Sequence, residues 1–287
     1  MPVRHPLTDG AFGAGRTIRR MPMSPVRGRT ATVLVRKREG LAEHRVPDEV
    51  IVEEPMEIRL DDHLVTTTMR TPGHDYELAA GFLFTDGHLA GAPVQTVRYC
   101  ATGSAVDTEF NIVSVETGGR APVPEARLTT TTSSCGLCGS ASLDGLRSRL
   151  EPLTDLQPFA LDVLAATPER ARSAQGLFQA TGAVHAAMAF DAAGEPVVLR
   201  EDVGRHNAVD KVVGHLLLGG ALPAHRLGLF VSGRASFEIV QKAWAASFAA
   251  VVAVSAPTSL AVDTARAAGI TLVGFAREGR MNTYSPA

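Results

Sequence analysis

The sequence predicts an α/β protein, α+β overall, in which a smaller, mostly β N-terminal domain precedes a larger α/β domain. Three observations predict it. The first half is dominated by short segments rich in Val, Ile and Thr. The second half alternates apolar, strand-like runs with segments of helical periodicity. The composition is that of an ordinary globular protein, 45% apolar and 20% charged, over 287 residues, a length that suits two domains or one large one.

In the first half, residues 30–37, 49–60, 63–70 and 109–115 are predicted strands, and 94–100 is strand-like. One helix interrupts them, at 76–84. It follows the turn Thr71-Pro72-Gly73-His74-Asp75, with Asp75 as its expected N-cap. Gly118, Gly119, Pro122 and Pro124 mark a linker after residue 115. In the second half, strands 184–190 and 196–199 come first. A helix from about residue 207 sets Val209, Val212, Val213, Leu216 and Leu217 on one face. Strand 227–231, helix 237–248, strand 251–254, helix 260–268 and strand 271–275 follow. Strands this apolar, without alternation, belong to a mostly parallel sheet covered by helices. Ligands of such sheets sit at the carboxyl ends of the strands. The expected division is a basic, disordered extension over 1–29, the mostly β domain over 30–120, a mobile loop over 121–140 and the α/β domain over 141–287.

Composition excludes several classes. The apolar and charged fractions rule out a disordered chain and a collagen-like fibre. Three cysteines are too few, and odd in number, for a disulfide framework, which points to a reducing compartment. The longest apolar run, around 245–256, is broken by Ser247 and Ser255 and falls short of the roughly 20 residues of a membrane span. Nine Arg and Lys against two acids give residues 1–40 a charge of +7, which leaves −9 on the rest. A basic arm can bind nucleic acid, but this one lacks interleaved aromatics and its body is acidic, so no nucleic-acid partner is expected. Arg19-Arg20 is not followed by the apolar stretch of an export signal, so a cytoplasmic location is expected.

The sharpest chemical feature is Ser133-Ser134-Cys135-Gly136-Leu137-Cys138-Gly139, after strand-like 127–132. Glycines and serines disfavour regular structure there and suit an exposed loop. Two thiols at this spacing fit half a zinc site, a disulfide redox pair, or a sulfur relay through a persulfide. A zinc site lacks a second such pair, and Cys100, alone in its strand-like segment, reads as a core residue, so no structural metal is expected. A thioredoxin-like pair would open a helix after an early strand, and this one lies between two halves of a longer chain.

Other candidates gather in the second half. His185 stands in an apolar strand among small residues (Gly182, Ala183, Ala186, Ala187) that leave room beside its ring. In the run 200–211, six charged residues and a histidine crowd the start of a helix. Asp210 lies one turn after His206 and Lys211 one turn after Asn207. Asn207 and Lys211 flank the apolar stripe, a position from which they can line a cleft; capping by Asp202 or Asn207 in a solvated turn is the plainer alternative. Three strand ends lead into Ser232-Gly233-Arg234-Ala235-Ser236, Ser255-Ala256-Pro257-Thr258-Ser259 and Ala276-Arg277-Glu278-Gly279-Arg280. The first two are strand-to-helix turns with free backbone N–H groups, and Arg234, Arg277 and Arg280 add forked donors for phosphate oxygens. Together they suggest a site for a large polyanion, without the glycine fingerprint of ordinary dinucleotide or P-loop binding.

Several of these motifs together resemble the FdhD family of formate dehydrogenase accessory sulfurtransferases: Met69 to Gly73, Cys135 to Gly139, Thr181-Gly182 with His185, Glu201 to Asn207 with Asp210-Lys211, Ser232-Gly233-Arg234, and Phe275 to Arg280. The resemblance runs from about residue 30 to 284 and leaves the basic extension outside. It implies a larger three-layer α/β domain of cytidine-deaminase-like fold and a homodimer. It implies a sulfur carrier that takes persulfide sulfur from a cysteine desulfurase and passes it to the molybdenum of a bis(molybdopterin guanine dinucleotide) cofactor destined for formate dehydrogenase. Cys135 would carry the persulfide and Cys138 would assist or relay. Phe275, Ala276, Arg277, Glu278, Gly279 and Arg280 match the family's cofactor-binding stretch. Ser232, Arg234, His185, Arg205, His206, Asn207 and Lys211 are the further cofactor-binding candidates. Deamination is not implied: the H-x-E and P-C-x-x-C ligand set of zinc deaminases is missing, since His185 is followed by Ala186 and Ala187 and Ser134 precedes Cys135. A second reading is a cofactor-holding chaperone whose cysteines only dock or sense redox state.

Overall fold

The structure is a computed structural model and describes residues 28–100, 108–124 and 151–286. Cys135, Cys138 and the strand expected at 127–132 lie outside the described residues, as do 1–27 of the basic extension.

The chain opens with a two-stranded antiparallel ribbon, β1 (Thr30–Glu39) and β2 (Ala42–Ile51). A four-stranded sheet follows, in the order β4-β3-β6-β5. Its strands are β3 (Glu54–Leu60), β4 (His63–Arg70), β5 (Thr96–Tyr99) and β6 (Ile112–Glu116). Helix α1 (Asp75–Thr85) packs on this sheet through Leu78, Ala79 and Leu83, against Met56, Ile58 and Val113. The segment 49–60, expected as one strand, is thus two, parted at Val52 and Glu53. The break is a change of partner: the chain leaves an exposed ribbon for a buried sheet, which no glycine or turn dipeptide announces. The expected linker after residue 115 is pinned rather than loose. Asp61 accepts hydrogen bonds from the backbone N–H of Thr117 (2.7 Å), Gly118 (3.1 Å) and Gly119 (3.3 Å).

The second half forms a six-stranded sheet in the order β12-β11-β10-β9-β7-β8. Its strands are β7 (His185–Phe190), β8 (Pro196–Asp202), β9 (Gly228–Val231), β10 (Ala250–Ala253), β11 (Thr271–Arg277) and β12 (Arg280–Ser285). β9, β10 and β11 are parallel; β7 and β12 flank them antiparallel. Side chains alternate between two cores, as period-two strands buried on both faces require. Ala187, Leu229, Val251 and Leu272 face helices α4 (Arg205–Leu218), α5 (Phe237–Ala245) and α6 (Ser259–Ala268). Met188, Phe230, Val252 and Val273 face α2 (Leu161–Ser173). The sheet therefore carries helices on both faces. A short helix, α3 (Gly176–Thr181), precedes β7. The sequence reading had not anticipated α2, α3 or β12. α2 buries only Leu164, Thr167, Pro168 and Ala171, too sparse a stripe to announce itself.

The two halves are joined by α1, which is apolar nearly all round and is buried on two sides. Its second face crosses α4 at Gly81 and Gly214. A Cβ at Gly81 would fall 1.9 Å from the Asp210 carbonyl oxygen, and one at Gly214 would fall 1.8 Å from that of Glu77. α5 closes the junction: Lys242 Nζ lies 2.8 Å from Thr85 Oγ1 and 2.9 Å from carboxylate oxygens of both Asp86 and Asp210. Burial alone would lower the Lys242 pKa, but the two carboxylates override it and hold it above the usual lysine value.

Candidate functional site

The parallel run of β9, β10 and β11 brings their carboxyl ends to one edge, as the sequence led us to expect. The turns after β9 and β10 lie side by side, through Ser255 N to Gly233 O (3.3 Å) and Thr258 N to Ala235 O (3.1 Å). Phe275, near the end of β11, joins them by donating to Ser255 O (3.2 Å). β7 runs antiparallel to β9, so its first residue, His185, meets the same edge. Ser232 fixes that junction: its N–H donates to Ala186 O and its Oγ accepts from Ala186 N, both at 2.9 Å.

His185, Arg205 and Gly233 are close neighbours. A Cβ on Gly233 would stand 3.5 Å from His185 Nδ1 and 4.0 Å from Arg205 Cδ. Burial first, then the nearby Arg205 and His206, pushes the His185 pKa below its ordinary value. Its imidazole is therefore neutral at neutral pH and free to accept a hydrogen bond. Arg205 opens α4 and is half-buried, and its Nε is buried without a hydrogen-bond partner among the described residues. His206 Nε2 lies 3.5 Å from Glu238 Oε2, which also accepts from Ser236 Oγ at 2.8 Å. This histidine contact, with the Ser236 bond, brings Glu238 down to about 2 against the burial that would raise it. Arg234 is exposed beside this cluster. The edge thus presents His185, Arg205, His206 and Arg234, with Glu238 against His206.

Asn207 and Lys211, expected to flank a cleft, are interior. Lys211 and Asp202 are both fully buried, 2.7 Å apart, and Lys211 Nζ also donates to Thr71 O at 2.9 Å. Asn207 Nδ2 donates to Met69 O (2.8 Å) and to Asp202 Oδ1 (2.9 Å). Asp202 accepts in addition from Thr71 N (3.1 Å) and Gly204 N (2.8 Å). The segment Met69 to Thr71 and the charged start of α4 are therefore one interlocked structure. What the sequence reading missed is that these motifs bind each other. Asp202 organises them, and the signal available was the density of buried-type charges, without their partners. Asp75, the expected N-cap of α1, is instead its first residue: His74 is the N-cap, in the left-handed region, without a side-chain cap bond. The Asp75 carboxylate is held by fully buried Arg70 (3.2 and 3.0 Å) and by the Tyr99 hydroxyl (3.1 Å). Cys100 is buried, as expected, with Sγ 2.9 Å from Thr108 Oγ1.

The stretch Phe275 to Arg280 is split by its structure. Ala276 is buried in the core on the α2 side of the sheet. Phe275 (φ 54°) is 41% exposed. β11 runs on to Arg277, and the turn Glu278-Gly279 leads directly into β12, so this third strand end is a hairpin rather than an open loop. Glu278 N donates to Glu169 Oε1 of α2 at 2.8 Å, and Arg280 pairs with Glu278 at 2.7 Å on the surface. Between the hairpin and the start of α2 lies an open groove of about 790 Å³, lined by Phe275, Arg277, Gly279 and Arg280 opposite Leu161 and Asp162. Among the described residues, no group of three His, Cys, Asp or Glu side chains is placed to hold a metal ion. Nor is any described helix long and apolar enough to cross a membrane.

A mixed α/β protein with a histidine- and arginine-bearing sheet edge is the class that this geometry defines. The chain belongs to the FdhD/NarQ family, whose profile matches residues 51–287. It is 49% identical over 261 residues to the sulfur carrier protein FdhD of Streptomyces avermitilis, covering 88% of this chain and 92% of the relative. It is 46% identical over 254 residues to the protein of the same name from Mycobacterium tuberculosis, covering 84% and 91%. A crystal structure from Desulfotalea psychrophila, described as a formate dehydrogenase accessory protein, superposes with a TM-score of 0.71 at 24% identity, over 90% of this chain and 98% of that one. At that identity the likeness is one of fold.

Proposed function

We propose that this protein is a sulfur carrier and sulfurtransferase serving formate dehydrogenase. It takes persulfide sulfur from a cysteine desulfurase and passes it to the molybdenum of a bis(molybdopterin guanine dinucleotide) cofactor, in the cytoplasm and as a homodimer. The observation that carries this reading is the strand-end edge. It gathers His185, Arg205, His206 and Arg234 where open sheets hold ligands, in a chain of a family whose relatives are named sulfur carriers. The larger sheet, with helices on both faces, suits the cytidine-deaminase-like arrangement that the sequence resemblance implied.

The chemistry is nucleophilic. The Cys135 thiolate attacks the outer sulfur of the donor's persulfide; the donor's S–S bond breaks, its cysteine thiolate leaves, and Cys135 becomes a persulfide. Sulfane sulfur becomes sulfide only by gaining two electrons. Cys138 can supply them by attacking the inner sulfur of Cys135, which forms a Cys135–Cys138 disulfide and releases hydrosulfide. The cofactor is cargo, and this chain's residues bind and orient it. Arg205 and Arg234, with Arg277 and Arg280 at the groove, offer forked donors to pyrophosphate oxygens. Neutral His185 accepts a hydrogen bond, while Asn207 and Lys211 hold the start of α4, and so Arg205 and His206, in place.

Intact-mass measurement after incubation with a cysteine desulfurase and cysteine tests this. A gain of ~32 Da, reversed by dithiothreitol and absent in Cys135→Ala, is expected. No gain on folded, reduced protein overturns the carrier. If Cys135→Ala retains both cofactor binding and activation of formate dehydrogenase, the protein is instead a cofactor-holding chaperone.

A further inference from the structure

Gly233 is a glycine that the fold itself does not require. Its φ lies outside the left-handed region, so a side chain there costs no backbone strain. A Cβ would meet only side-chain atoms at ordinary distances: His185 Nδ1 at 3.5 Å, His185 Cε1 at 3.6 Å and Arg205 Cδ at 4.0 Å. Gly81, Gly214 and Gly228 are different, since a Cβ on each would fall 1.9, 1.8 and 2.2 Å from a neighbouring atom. Packing demands those three. At Gly233 the missing side chain keeps a methyl-sized recess between an imidazole and an arginine.

The floor of this recess is fixed. Ser232 is tied to Ala186 through both its N–H and its Oγ, and Gly233 O accepts from Ser255 N at 3.3 Å. The walls carry complementary chemistry. Burial and the Arg205 charge hold His185 neutral, and the tautomer with its lone pair toward that charge is the favoured one, so Nδ1 accepts. Arg205 donates, and its Nε is buried without a hydrogen-bond partner among the described residues. Buried donors are nearly always bonded, so an orphan beside a recess marks a place that a ligand completes.

We infer that the recess over Gly233 seats a ribose hydroxyl of a bound nucleotide, and that Gly233 sets a preference for the hydroxylated sugar. The inference rests on the guanine dinucleotide cargo of the proposed function and assigns the part of it that stands here. A group between an acceptor and a donor must give a hydrogen bond to one and take one from the other. A phosphoryl oxygen only accepts, and would face the His185 lone pair. The guanine ring both donates and accepts, but is too large for a methyl's place. A hydroxyl does both and fits, and in a guanine nucleotide the ribose carries the hydroxyls. The other N–H groups of the Arg205 fork stay available to the pyrophosphate.

Equilibrium binding of guanosine 5′-diphosphate and of its 2′,3′-dideoxy analogue to the full-length protein tests it. Wild type is expected to bind the ribose form about tenfold more tightly, the worth of one hydrogen bond to a charged group. This comparison needs no variant. Gly233→Ala is expected to bind the two forms alike, with an unchanged circular dichroism spectrum and melting temperature. Arg205→Lys, which keeps the charge but loses the fork, is expected to lose the preference as well. Equal affinity of wild type for the two nucleotides, or a preference that Gly233→Ala keeps, overturns the recess alone. Failure of wild type to bind either nucleotide overturns the nucleotide cargo itself, and this inference with it.

Discussion

Lys211 reaches Asp202 and the Thr71 carbonyl with no contact to water, and Asp202 in turn holds Thr71 N, Gly204 N and Asn207. Each charge is tolerable inside only because the other is there. Lys211→Met strands the Asp202 carboxylate and is expected to cost about 3–5 kcal/mol in urea unfolding. Adding Asp202→Asn to Lys211→Met is expected to recover part of that loss. If the single and double variants unfold alike, the pair is not the clasp described. At this scale the sequence placed His206, Asn207, Asp210 and Lys211 at the start of a helix, and all four lie in the first turns of α4. It did not distinguish cleft from interior. That distinction is made by Met69 and Thr71, which arrive from 138 and 140 residues away in the chain.

Helix α1 shows what pairing between elements adds. Its sequence, from Asp75 to Thr85, announces an apolar helix, and the expected span of 76–84 is close to the observed one. That it must cross α4 at backbone contact is carried by Gly81 and Gly214, a relation between two glycines that neither helix reveals alone. Gly81→Ala is expected to force the helices apart and to cost about 3 kcal/mol or more, the top of the overpacking range. Gly176→Ala, where a Cβ meets nothing within 4 Å, is expected to stay within about 0.5 kcal/mol of wild type. Thermal denaturation of the two variants side by side checks both. The strands at 227–231 and 251–254 were legible for the opposite reason: they are apolar on both faces because a helical layer lies on each. β12 was not, because its residues are mostly polar, and α2 was not, because its buried stripe is sparse; both owe their form to β11 and the sheet beneath.

Across the whole molecule, the two halves are joined by charges as well as by packing. Glu77 of α1 accepts two hydrogen bonds from Arg200 of β8, at 2.5 and 2.8 Å, and meets His215 of α4 at 3.0 Å and His74 at 3.3 Å. Burial would raise its pKa, but the Arg200, His215 and His74 contacts override that and hold it well below the usual carboxylate range. A carboxylate held low in the folded state contributes stability above its unfolded pKa, and that contribution is lost as pH falls below it. Glu238, drawn down to about 2 chiefly by His206, adds a loss of the same sign. Urea unfolding free energies are therefore expected to fall as pH drops from about 4.5 toward 2. Glu77→Gln is expected to be less stable at neutral pH and to show a shallower acid slope. An unchanged slope in that variant would assign the acid loss to other carboxylates.

The sequence by itself determined the class of fold, the parallel run of the second half, the helix at α4 and the gathering of strand ends into one edge. These follow from local apolar period and turn chemistry, which act over a few residues. Motifs quoted in order also placed the chain in its family, and the profile match over 51–287 agrees. Only the tertiary structure decided which charged groups face a ligand and which are spent inside. It alone split 49–60 into a ribbon strand and a sheet strand, turned 275–280 into a hairpin beside a groove, and tied Met69–Thr71 to α4. The physical reason is the same in each case. Burial, partner and edge are properties of two segments meeting, and a segment's own residues specify what it can pair with but not what arrives.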